Sequence, residues 1–117
     1  MGRLSTHVLD TARGKPAAGM AIRLYSCRDE ERLLLKSAVT NYDGRTDEPL
    51  LGDNHLAAGI YELVFSAGDY YRAQHEELGT PAFLEKVVVR FGVSDTSCNY
   101  HVPLLLSPYG YSTYRGS

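Results

Sequence analysis

The chain has 117 residues, 44% hydrophobic and 22% charged, a balance close to that of ordinary soluble globular domains and one that argues against disorder. A formal net charge of -2 without basic clusters gives no electrostatic reason to expect nucleic acid or an acidic membrane as a partner, and no apolar run approaches the roughly 20 residues that a bilayer span needs. Residues 1–117 therefore read as one domain, which at this size buries on the order of 65% of its unfolded surface without disulfides or metals.

From the N-terminus, Met1-Gly2-Arg3 leads straight into an alternating segment, with no apolar signal core and no small-residue cleavage site, so a cytoplasmic protein is expected. Strands are predicted near Leu4–Leu9, Ala21–Cys27, Leu33–Thr40, Gly59–Ser66, Lys86–Val93, Tyr100–Leu106 and Tyr111–Tyr114, each rich in Val, Ile, Leu, Tyr or Thr. Turn sequences separate them: Arg13-Gly14-Lys15-Pro16, Asn41-Tyr42-Asp43-Gly44 and Ser107-Pro108-Tyr109-Gly110 supply the fixed φ of Pro and the positive φ open to Gly or Asn. One segment departs from this pattern. Asp69 is placed to cap a helix running through Leu78, with Gly79 and Pro81 to end it. The fold class is therefore all-β, a two-sheet sandwich with one short helix.

Two features of the last third bear on assembly. Pro103 cannot donate to a sheet ladder, so its strand lies at an edge or its outer face meets something else. Leu104, Leu105 and Leu106 are apolar on both faces of a strand, and the second face could pack against another subunit. Cys27 and Cys98 are too few for a disulfide framework and are expected as reduced, buried thiols.

The candidate chemistry rests on few side chains. Strand alternation puts His7 on the face opposite Val8, and His101 opposite Tyr100 and Val102. An imidazole can take a proton from water near neutral pH, a contribution of roughly 10²–10⁴-fold in rate; the alternative is a hydrogen-bonded surface or interface histidine. Arg45 follows a turn, where its guanidinium could hold a planar ligand or stabilise an oxyanion, unless it serves only as a surface ion pair to Asp47 or Glu48. His55 and His75 lack partners at the spacing of a zinc motif, and neither Ser112 nor Ser117 lies in a G-x-S-x-G turn, so no metal is expected and covalent catalysis is disfavoured. Tyr109, Tyr111 and Tyr114 make an aromatic segment before the tail.

Leu4-Ser5-Thr6-His7-Val8-Leu9-Asp10, Gly44-Arg45-Thr46-Asp47, Tyr100-His101-Val102-Pro103-Leu104-Leu105-Leu106-Ser107-Pro108 and the terminal Tyr114-Arg115-Gly116-Ser117 span nearly the whole chain. Together they resemble the transthyretin-related 5-hydroxyisourate hydrolases. That resemblance implies a transthyretin-like sandwich assembled as a homotetramer, a dimer of dimers with active sites at the dimer–dimer interface. It implies cofactor-free hydrolysis of 5-hydroxyisourate to 2-oxo-4-hydroxy-4-carboxy-5-ureidoimidazoline (OHCU), in urate breakdown toward allantoin. The same resemblance points to His7, Arg45, His101 and Ser117 as catalytic, with His7, Arg45, Tyr114, Arg115 and Gly116 around the substrate. Transthyretin itself carries thyroid hormone on this fold, so a small-ligand carrier is the competing reading, and a plain interaction module is a third.

Overall fold

A computed structural model describes residues 2–52 and 54–116. The strands are β1 Leu4–Asp10, β2 Lys15–Pro16, β3 Ala21–Arg28, β4 Glu31–Val39, β5 Gly59–Phe65, β6 Val87–Val93, β7 Tyr100–Ser107 and β8 Gly110–Thr113, and helix α1 covers Ala67–Ala73. They form two four-stranded sheets, ordered β2-β1-β7-β8 and β4-β3-β5-β6. Inward residues of both sheets close one core, in which Leu4, Val8, Ile22, Leu24, Leu63, Phe65, Val87, Leu104 and Leu106 are almost entirely buried. Each such side chain contributes roughly 1.5–3 kcal/mol through removal from water. The expected sandwich with one helix is what the chain adopts. Among the described residues no helix is long and apolar enough to cross a membrane.

Three expectations are corrected. Lys15-Pro16, read as turn, pairs with Leu9 and Asp10 as a two-residue strand. The helix starts before Asp69 and stops before Leu78: its N-cap position is Ser66, which gives no side-chain cap, and the left-handed backbone of His75 ends it. Glu85 supplies the anchoring instead, since its backbone carbonyl accepts from the Gly68 amide and its carboxylate holds Arg72 and the Ala82 amide. The two thiols are free but only half-buried.

Pro103 is not on an edge. Its strand β7 is central, parallel to β1 on one side and antiparallel to β8 on the other. The β7–β8 ladder covers Leu104↔Thr113 to Ser107↔Gly110, is interrupted, and resumes in the same register as the bridge His101↔Gly116. Hydrogen-bonded pairs alternate along an antiparallel ladder, so the next such pair after His101 and Gly116 would be Pro103 with Tyr114, where proline has no N–H to give. The Thr113 hydroxyl bonds to the Pro103 carbonyl instead, at 2.7 Å. The proline thus opens a gap in the ladder, and the tail crosses it before docking again at His101.

A second polar centre lies at the far end of β1. The Asp10 carboxylate is fully buried and accepts from the Ala12 and Arg13 amides at 3.1 and 3.2 Å and from the Tyr70 and Tyr71 hydroxyls at 2.8 and 3.0 Å. Burial, and then the bond to Asp10, push both phenol pKa values far above the ordinary tyrosine value, so the hydroxyls stay donors. This contact fastens α1 to the sandwich.

Candidate active site

In β1, alternation buries Leu4, Thr6, Val8 and Asp10 and leaves Ser5, His7 and Leu9 half-buried on the outer face. In β7, Tyr100, Val102, Leu104 and Leu106 point into the core while His101 and Leu105 are half-buried on the opposite side. The parallel register sets Ser5 beside His101 and His7 beside Pro103, so both imidazoles share one outer face, two residues apart on neighbouring strands.

Arg45 reaches this face because its loop is tied to the edge of β1. Leu4 bonds to Leu50 and Leu51, and farther along the Val8 amide donates to the Gly44 carbonyl at 2.8 Å, next to the bridge His7↔Arg45. Gly44 has φ +77°, and a Cβ there would lie 2.4 Å from the Val8 carbonyl oxygen, so only glycine lets the turn approach this closely. The Asn41 side-chain oxygen accepts from the Asp43 and Arg45 amides, at 2.9 and 3.2 Å, and fixes the turn from within. The alternative ion pair of Arg45 with Asp47 or Glu48 does not form: among the described residues the guanidinium has no acidic partner, and Asp47 bonds to Asn41.

The His7 Nε2 lies 2.9 Å from the Asp43 carbonyl oxygen. A carbonyl can only accept, so Nε2 carries the proton and Nδ1 keeps the lone pair of the neutral ring. His101 is held differently, with Nδ1 at 2.8 Å from the Ser5 hydroxyl. Its pKa falls below the ordinary imidazole value, chiefly because burial disfavours the imidazolium and then because Arg45 and His7 add positive charge nearby. A neutral imidazole, a second imidazole and a guanidinium without an acidic partner among the described residues form, on one surface, an arrangement suited to deprotonating water beside a carbonyl whose oxygen gains charge.

The tail divides between two faces. Gly116 returns to the site: its amide donates to the His101 carbonyl at 2.8 Å, and a Cβ on it would lie 2.7 Å from the His101 Cδ2. Arg115 turns away, with its guanidinium 4.1 Å from the Tyr100 ring centre and 3.3 Å from the Asn99 carbonyl. Arg115 and exposed Tyr114 line a cavity of about 230 Å³ with Val89, Phe91 and Val102. Ser117 lies outside the described residues. Thus His7, Arg45, His101 and Gly116 come together, and Arg115 does not join them. Sequence reasoning gave no role to Ser5 and read Asn41 only as a turn residue. Alternation from His7 could have placed Ser5 on the site face, but its contact with His101 depends on parallel pairing that no local pattern reveals.

A concavity of about 680 Å³ at the β3–β4 hairpin and the start of β5 contains none of these groups. No cluster of three or more His, Cys, Asp or Glu side chains there or elsewhere among the described residues is placed to hold a metal ion.

Residues 4–116 match the model of the HIUase/Transthyretin family. The chain is 59% identical to 5-hydroxyisourate hydrolase 2 of Rhizobium meliloti, over 99% of this chain and 97% of that protein. Among solved structures, it is similar to the 5-hydroxyisourate hydrolase of Klebsiella pneumoniae, with a TM-score of 0.80 and 33% identity over the whole of both chains. It is also similar to an (S)-allantoin synthase, with a TM-score of 0.92 and 40% identity over 99% of this chain, and spans 44% of that longer protein.

Proposed function

This chain belongs to the HIUase/Transthyretin family, and from that premise we infer that it is a 5-hydroxyisourate hydrolase. The observation that carries the reading is the convergence of His7, Arg45 and His101 on one face of the β1–β7 pair. Water attacks a ring carbonyl of 5-hydroxyisourate as a neutral imidazole takes its proton. The new C–O bond forms, the ring C–N bond breaks, and the departing nitrogen receives a proton, giving the ureidoimidazoline carboxylate OHCU in urate breakdown toward allantoin.

His101, kept neutral by burial and by Arg45, and His7, with its lone pair on Nδ1, are both competent for the proton transfer. Arg45 binds the substrate and meets the developing oxyanion. Gly116 holds the tail against the site and Arg115 contributes by anchoring the tail on Tyr100; Tyr114 and Ser117 are assigned to the substrate pocket by the family resemblance. The chemistry calls for no cofactor.

The same reading extends to a cytoplasmic homotetramer, a dimer of dimers in which the β2-β1-β7-β8 faces meet and enclose the sites. The open imidazole face, half-buried Leu105 and exposed Tyr111 and Tyr114 support it, since a second subunit would supply the missing wall. A carrier of thyroid-hormone-like ligands is disfavoured because an apolar channel gains nothing from two imidazoles and a guanidinium. The test is to generate 5-hydroxyisourate in situ with urate oxidase and follow its ultraviolet decay. Acceleration by catalytic amounts of the protein is expected; decay at the spontaneous rate would sink the hydrolase reading.

A further inference from the structure

Among the described residues, the hydroxyl of Ser5 is the side-chain polar group that hydrogen-bonds the His101 ring, and its place is set by backbone geometry. Ser5 and His101 are opposite residues of the parallel β1–β7 pair, so their side chains rise side by side, and Oγ lies 2.8 Å from Nδ1. The ring is confined on another side by Gly116, which leaves no room for a Cβ beside Cδ2, Cγ or the His101 Cβ. We propose that Ser5 is a positioning residue of the hydrolytic site, engaging Nδ1 of His101 so that Nε2 is the one nitrogen left to face substrate.

The physical basis is the asymmetry of a neutral imidazole, in which one nitrogen donates and the other accepts. With Nδ1 committed to Ser5, the ring holds one orientation about its Cβ–Cγ bond, and the hydroxyl, which can donate or accept, serves either tautomer. Without the hydroxyl, a flipped ring becomes accessible, and part of the population presents the wrong nitrogen. The two histidines are then fixed by different partners: His7 through Nε2 by the Asp43 carbonyl, His101 through Nδ1 by Ser5. The nitrogens left open differ correspondingly, Nδ1 on His7 and Nε2 on His101. The charged and titratable groups among the described residues that act on His101 are Arg45 and His7, and Ser5→Ala leaves both in place.

This proposal rests on the hydrolase reading for its rate but not for its ring geometry, so the test uses both. Ring ¹⁵N shifts of His101 and kcat/KM for 5-hydroxyisourate are measured on the wild-type protein, Ser5→Ala and Ser5→Thr. In Ser5→Ala the ¹⁵N shift of His101 Nδ1 moves as its hydrogen bond is lost, and kcat/KM falls by about 3- to 10-fold, the loss of one ordinary hydrogen bond, carried mainly by kcat. Ser5→Thr, which keeps the hydroxyl on a strand-compatible side chain, moves both quantities back toward wild type. Unchanged ¹⁵N shifts in Ser5→Ala, or an unchanged kcat/KM, would overturn the proposal. A wild-type protein with no turnover would overturn the hydrolase reading itself, while the shifts would still report on Ser5.

Discussion

Strand β1 carries two polar centres that have opposite characters. At its end, inward-facing Asp10 is dry and saturated, with two amides and two phenols on its carboxylate. In its middle, outward-facing His7 lies half-buried beside a second imidazole and an arginine that has no acidic partner among the described residues. The same alternation produces both. A buried polar group whose every bond is made holds structure together, whereas a partly desolvated group with a free lone pair or free donors is available for chemistry. Substitutions at the first centre should therefore be read in stability and at the second in turnover.

Removing the hub of the saturated centre is the largest expected effect. Asp10→Ala strands the buried Tyr70 hydroxyl and the Ala12 amide, leaves Tyr71 only its bond to the Leu106 carbonyl, removes the ion pair of Arg13, and should cost about 3–5 kcal/mol, seen as a sharply lowered denaturation midpoint. At the open centre, Arg45→Ala should lower kcat/KM by about 10²-fold or more with an unchanged melting temperature; unaltered turnover would remove Arg45 from the mechanism. Gly116→Ala sharpens the contrast, since the added methyl must displace the His101 ring: a loss of roughly 10-fold in kcat/KM is expected at nearly native stability. Tyr70→Phe, which deletes one of four donors to Asp10, should cost about 1 kcal/mol and leave turnover alone.

The smallest effect is a titration. Burial and the Arg45 charge depress the His101 pKa, so the ring binds its proton only at a pH below the ordinary imidazole value. By NMR its midpoint should lie below that value and rise when Arg45 is replaced by Ala. It should stay depressed in that variant, because burial, the larger cause, is untouched. A midpoint that ignores Arg45 would separate the two groups.

The sandwich was legible from short β-rich segments and their turn residues, because period-2 patterning and Gly-Pro punctuation act locally. The faces of His7 and His101 were legible for the same reason. The helix ends were not: Asp69 is a good capping residue by type, but the Glu85 contacts with Gly68 and Arg72 come from a distant segment. Nor was the position of Pro103, since proline marks a missing donor and does not tell whether a strand is central. The resemblance grouped Arg115 with the substrate, yet strand alternation carries it to the face of Tyr100, and only its neighbour Gly116 returns to His101.

The ladder that crosses the gap at Pro103 makes the end of the chain a matter of counting. Gly116 meets His101 because the hairpin turn at Ser107–Gly110 fixes which residue of the returning segment lies opposite each residue of β7. One residue inserted into that turn would shift every downstream partner by one position and exchange the two faces, setting the Arg115 side chain against the imidazole and sending Gly116 past it. The core would be untouched, so such an insertion could be silent in folding and ruinous in the site. The length of a surface turn, ordinarily the most tolerant property of a sandwich, here decides which residue of the tail meets the imidazole.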